Sequence, residues 1–233
     1  MLKRTIKHLD ENIRNSIIND VRDIAYYHGR LKKKASGFFS IPRHVFCYAD
    51  YLGYIAFGHK HQNGIPESTR CAVDFIKKYF PVNYHGFAEI IYSMWRLGTV
   101  HSYEPYSYFA GYPTSKPRKI TIKWLSNNES KKSSRKNHLK FFSMKNKRAS
   151  IYLYVNNCQL VDDLLTALDN LLKTLAKDAK LKRECEKRLN EYGAPRDYTS
   201  IASKILKNAI PNQIVLAWKN RQKTKINEKG EII

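Results

Sequence analysis

Cysteine is scarce in this chain and never clustered: Cys47, Cys71, Cys158 and Cys185 stand far apart, with no CxxC pair among them. That spacing argues against a zinc site or a disulfide framework. Long apolar runs are also missing, since no 18-residue uncharged apolar stretch occurs, and a membrane-spanning helix is not expected. The first ten residues are charged and have no apolar stretch long enough for a leader, so a soluble cytoplasmic protein is expected. Neither a Walker loop nor a GxGxxG pattern is present, which leaves nucleotide hydrolysis and dinucleotide chemistry without support. Acidic residues are few, and no compact D-x-D or E-x-K cluster on a strand offers ligands to a metallonuclease. No cofactor and no metal ligand set is therefore predicted.

What the chain has instead is positive charge. Lys and Arg number 42 against 20 Asp and Glu, a net charge of +22 over 233 residues. An excess of that size favours a polyanionic partner, RNA first. Half of it is concentrated in residues 111–150, which carry 12 basic groups and 1 acidic group.

Hydrophobic periodicity predicts a mainly α protein, one domain over residues 1–233. A first helix runs from an Asp10 cap to about Leu31 on the stripe Ile13, Ile17, Val21, Ile24 and Tyr27 or His28. A second, from Pro42 to Phe57, is closed by Gly58 and is apolar nearly all round, which places it in the middle of a bundle; Asp50 is its one acid and needs a partner. A third spans about 67–79 and a fourth about 85–97. Residues 157–192 read as one long helix, capped by Asn157 and striped by Leu160, Leu164, Leu168, Leu171 and Leu175. The helical core thus covers 10–105 and 157–192. Between them, residues 111–156 alternate with period two at 118–124, 139–141 and 151–155, which predicts a small inserted antiparallel hairpin or three-stranded sheet. Short helices are expected over 199–220, and a polar tail over 221–233.

The chemistry-bearing stretch is Trp95-Arg96-Leu97-Gly98-Thr99-Val100-His101-Ser102-Tyr103-Glu104 at the end of the fourth helix. A permanent guanidinium beside a titratable imidazole suits metal-free RNA cleavage, which needs proton transfer and a cation on the phosphate. On an unbroken α-helix, residues five apart are splayed by roughly 140°, so Arg96 and His101 converge only if the helix is distorted, with Gly98 suited to bending it, or if two copies meet across a two-fold axis. Asp50 is a candidate to orient Arg96 or His101, and Ser102 and Glu104 are near enough in sequence to assist. Lys119, Lys123, Lys131, Lys132, Arg135 and Lys136 of the basic insertion are candidate phosphate contacts. His59 and His61 flank Lys60 but lack further ligands for a metal, while His44 and His85 sit at helix starts.

An all-helical bundle whose core helix ends in Arg-x4-His-x-Tyr resembles the HEPN superfamily, most of all the toxin half of HEPN and nucleotidyltransferase toxin–antitoxin pairs. The resemblance rests on Arg96, His101 and Tyr103. It implies a homodimer with paired motifs facing one cleft, metal-independent endoribonuclease activity leaving a cyclic phosphate, and silencing by an antitoxin protein able to modify Tyr103. Leu97 stands where the family often has Asn, Asp or His. Two other expectations remain beside it: a catalytically inactive HEPN-like nucleic-acid-binding protein, and a basic interaction module for an acidic protein partner.

Overall fold

A computed structural model describes residues 3–30, 39–60, 67–98, 108–111, 119–127, 135–143 and 150–193. These elements form a mainly α structure with a small sheet. The helices are α1 (residues 3–30), α2 (Ser40–Phe57), α3 (Ser68–Tyr79), α4 (residues 88–97), α5 (Asn157–Lys177) and α6 (Ala179–Gly193). A 3-10 segment, Val82–Phe87, leads into α4. No helix among the described residues is long and apolar enough to cross a membrane. One compact unit comprises Met1–Tyr192; the second, Gly193–Ile233, lies outside the described residues beyond its first residue, and with it the expected C-terminal helices and tail.

Helix α2 is central, as its composition requires: Val45, Phe46, Ala49, Leu52 and Ile55 are fully buried. Its Gly53 lets α3 approach closely, because a Cβ there would stand 2.3 Å from the carbonyl oxygen of Cys71. Gly58, at φ +65°, turns the chain out of the helix. Arg188 of α6 then donates to the freed carbonyls of Ile55 and Ala56, at 3.0 and 2.8 Å, capping α2 from another element. All four cysteines are free, and Cys71, Cys158 and Cys185 are buried.

Three boundaries differ from the sequence reading, each for a physical reason. Helix α1 begins before Asp10, so Asp10 is no cap; it accepts from Arg14 at 2.8 Å, while Arg14 also reaches Asp169 of α5 at 2.6 Å. Two stretches of α1, His8–Ile13 and Ile18–Arg22, are π-wound. Each i→i+5 ring inserts a residue into a turn and rotates the apolar stripe. Beyond Val21 the core is therefore met by Ala25, and Ile24 and Tyr27 are left exposed. In α5 the cap is Asn156, one residue earlier than expected, its side chain accepting from the Gln159 amide at 2.9 Å. The five-leucine stripe is buried as predicted. The long helix breaks at Asp178, whose carboxylate accepts from the Leu181 amide at 2.9 Å and starts α6.

The sheet has four strands, β1 (Tyr108–Gly111), β2 (Lys119–Asn127), β3 (Lys140–Ser143) and β4 (Ser150–Asn156), in the order β1-β2-β4-β3. It is mixed rather than antiparallel throughout, since β2 and β4 run parallel. A hairpin reading assumes that sequence neighbours pair. Here β4, with Leu153 and Val155 fully buried, takes the protected interior position between β2 and β3. Trp124 of β2 fixes the sheet to the bundle by edge contacts with Trp95 and Phe39, each at 5.0 Å between ring centroids.

Candidate functional site

Helix α4 carries Tyr92 and Arg96 four residues apart, on one face, opposite Asp50 of α2. The Asp50 carboxylate holds both: Oδ1 accepts from the Tyr92 hydroxyl at 2.6 Å and Oδ2 accepts from Arg96 Nε at 2.7 Å. This answers the need of the one acid in an apolar helix. The pair is largely sheltered, with side-chain exposures of 15% for Asp50 and 24% for Arg96. Burial pushes the Asp50 carboxyl up from its ordinary value, against the opposing hydrogen bonds from Tyr92 and Arg96. The same burial, and then the Asp50 charge, drive the Tyr92 hydroxyl up. For Arg96, burial is the largest single influence and acts downward, but the hydrogen bond to Asp50 and the Asp50 charge, with smaller contributions from Cys47 and Tyr92, together outweigh it and keep the guanidinium charged.

Engagement through Nε alone matters chemically. Among the described residues, neither outer nitrogen of Arg96 has a partner, so the fork is anchored at its base and free at its tip. Tyr92–Leu97, which includes Arg96, is π-wound. Gly98 is helical, with φ −59° and ψ −52°, so the departure from α geometry lies before it, not at it. His101, Ser102, Tyr103 and Glu104 lie outside the described residues, as do Lys131 and Lys132.

The remaining basic candidates differ among themselves. Lys119 opens β2, and Lys123 of the same strand is half-buried. Lys136 is exposed. Arg135, expected on a solvated loop, is locked instead: it donates to Asp162 at 2.9 Å and to the Tyr26 hydroxyl, and lies 5.5 Å over the Tyr26 ring. Its charge is already matched within the fold.

The described residues hold no group of three or more His, Cys, Asp and Glu arranged for a metal. His59 pairs with Asp74 at 2.8 Å and stacks on Phe57; His61 lies outside the described residues. His44 and His85 hydrogen-bond the carbonyls of Ser40 and Phe80. A groove of about 580 Å³ between α3 and α4 is lined by Glu67, Arg70, Asp74 and Glu89, whose acids pair with Arg70, His59 and Lys77.

Sequence reasoning missed a buried polar chain. The Asn156 amide donates to His138 Nδ1 at 2.9 Å, which places the neutral ring's proton on Nε2. Nε2 then donates to the Tyr84 hydroxyl at 2.6 Å, and Tyr84 donates to Asp163 Oδ2 at 2.8 Å. Gln159 closes the chain on Asp163 Oδ1 at 2.9 Å. Burial lowers His138 to about 3, and burial likewise raises the Asp163 carboxyl. His, Tyr and Asp in contact suggest catalysis. Yet both ring nitrogens of His138 are committed internally, so the chain ties the β3 approach to α5 and the 3-10 segment. Its members lie 54 and 79 positions apart, and no local pattern announces them.

In comparisons with known proteins, no family model, curated protein or solved structure matches this chain significantly.

Proposed function

We propose that this chain is a HEPN-like, metal-independent endoribonuclease, a cytoplasmic toxin or phage-defence effector that acts as a homodimer on RNA and is silenced by an antitoxin protein. The observation that carries the reading is the Arg96 guanidinium, fixed through Nε by Asp50 with its outer nitrogens unengaged by any described residue. A cation oriented in advance stabilises developing phosphate charge without reorganising during the reaction.

In this mechanism His101 takes the proton from a ribose 2'-hydroxyl as its oxygen bonds to phosphorus. The bond from phosphorus to the 5'-oxygen breaks, giving a 2',3'-cyclic phosphate and a 5'-hydroxyl. The second His101 of the dimer protonates the leaving oxygen, and Arg96 neutralises the equatorial oxygens. Tyr103 orients the phosphate, with Ser102 and Glu104 alongside. Lys119, Lys123, Lys131, Lys132 and Lys136 hold the strand by charge.

His101→Ala is expected to reduce cleavage of single-stranded RNA in EDTA at least 100-fold, the scale of one general acid or base, while salt-sensitive RNA binding stays near the parent level. An alanine variant that cuts as fast as the parent removes His101 from the mechanism. A second reading, RNA binding without turnover, is favoured by Leu97, which packs half-buried against the core where a polar neighbour of the arginine would otherwise stand. It predicts steep salt dependence and no cleavage by any variant.

A further inference from the structure

A concavity of about 490 Å³ lies between the 3-10 segment, the turn at residues 135–139 and the start of α5, and includes Asn83, Phe87, Lys136, His138, Lys140 and Gln159. Its base is rigid, because the His138–Tyr84–Asp163 chain is buried and fully bonded. Its rim is positive: Lys136 and Lys140 are exposed, and neither makes an ion pair with a described residue. Of the nearby acids, Asp162 is matched by Arg135, and Asp163 is buried beneath the rim, bonded to Tyr84 and Gln159 and ion-paired with neither lysine. Beside the lysines stand two aromatic rings. The Phe87 ring in the concavity meets Phe141 at 5.6 Å between centroids with the planes tilted by 58°, and Phe141 of β3 is 46% exposed, which leaves its ring open to a ligand.

The backbone here is also held in a costly state. Leu139, between His138 and Lys140, has φ +60°, a left-handed conformation that a bulky residue rarely adopts. It is maintained by bonds from the Leu139 amide to the Tyr154 carbonyl at 2.8 Å and from the Lys140 amide to the Asn137 carbonyl at 3.1 Å. Strain retained by surrounding contacts is common where a side chain must be aimed. In this turn it sets Lys140 and Phe141 directly after the buried His138.

We propose that this concavity binds one nucleotide unit, its base stacked on the exposed Phe141 ring beside Phe87, its phosphate between Lys136 and Lys140, and Asn83 at the base edge. A planar π-face with an attached anion is the ligand class that uses both halves of such a surface. The unit comes either from a free nucleotide or from single-stranded RNA. The site does not depend on the chemistry assigned to Arg96 and His101.

The test uses the full chain and a fluorescent ten-nucleotide 2'-O-methyl RNA, which lacks the attacking hydroxyl and so reports binding whether or not the protein cleaves. Phe141→Ala is expected to weaken binding about tenfold, the loss of one base stack. Lys136→Glu/Lys140→Glu, which removes one phosphate contact, is expected to reduce the slope of log affinity against log salt by about one. Lys180→Glu/Lys187→Glu, the same charge change at exposed positions of α6, is expected to leave binding near the parent level. Displacement of the RNA by millimolar AMP supports the site with a free nucleotide as ligand; displacement by unlabelled oligomer alone supports it with RNA as the source. Parent-like affinity in Phe141→Ala, or an equal loss in the α6 control, overturns the proposal.

Discussion

Asp50→Ala is expected to destabilise the fold by about 2–3 kcal/mol, somewhat below the 3–5 kcal/mol typical of breaking a fully buried pair because Arg96 retains some solvent access. The truncation leaves a half-buried guanidinium without its counter-charge and the Tyr92 hydroxyl without its acceptor. Tyr92→Phe, which removes the bond to Oδ1 and leaves the Arg96 bond to Oδ2 in place, is expected to cost about 1 kcal/mol. Urea denaturation of the two variants measures the difference. Under the proposed function, Asp50→Ala also costs RNA cleavage about tenfold to 100-fold, since a freed fork no longer meets the phosphate in one geometry. Parent-like stability in Asp50→Ala would show that the carboxylate does not hold the arginine.

Acid should weaken the protein as pH falls below the ordinary range of histidine. His138 has a folded value of about 3, against about 6.5 in an unfolded chain. Between those values the unfolded state binds a proton that the folded state refuses, so stability is full above pH 6.5 and is lost as pH falls toward 3. The slope is about 1.4 kcal/mol per pH unit, or about 2 kcal/mol between pH 6.5 and 5. Protonation at Nδ1 breaks the bond from the Asn156 amide, which is the structural form of that loss. Asp163 acts in the opposite sense, because its raised carboxyl takes up a proton in the folded state first, and this offsets part of the decline at the acid end. His138→Gln keeps an acceptor and a donor but cannot titrate. Urea midpoints at pH 7 and pH 5 are expected to converge in that variant relative to the parent. Equal acid sensitivity in both would assign the effect to other groups.

The strongest patterns in the chain were those that depend on burial alone. An apolar helix with one acid and a terminal glycine defined α2 down to its last residue, and the leucine period defined the buried face of α5. Asp50 was recognised as needing a partner because an isolated carboxylate in such a helix is too costly to leave unpaired, and Arg96 proved to be that partner. Other features depend on information that periodicity does not carry. The π turns in α1 shift the core from Ile24 to Ala25 without altering composition, and the break at Asp178 occurs without glycine or proline. β1 was missed because four residues are too few to establish alternation, and the parallel pairing of β2 with β4 is a tertiary choice. Arg135 illustrates the limit for charge: within a basic stretch it looked like a solvated phosphate contact, whereas Tyr26 and Asp162, distant in sequence, convert it to a structural cation. His138 was hidden in the same way, since nothing near it in sequence indicates Tyr84 or Asp163.

Turnover of single-stranded RNA in EDTA by Arg96→Lys, against the parent, tests most directly whether an anchored fork is what this protein brings to phosphate. Lysine keeps the charge but cannot bond Asp50 through Nε and still present two donors. The account predicts cyclic-phosphate products from the parent and a loss of about 100-fold or more in the lysine variant, with RNA affinity within a few-fold. No cleavage by the parent, or parent-like cleavage by the lysine variant, would contradict it.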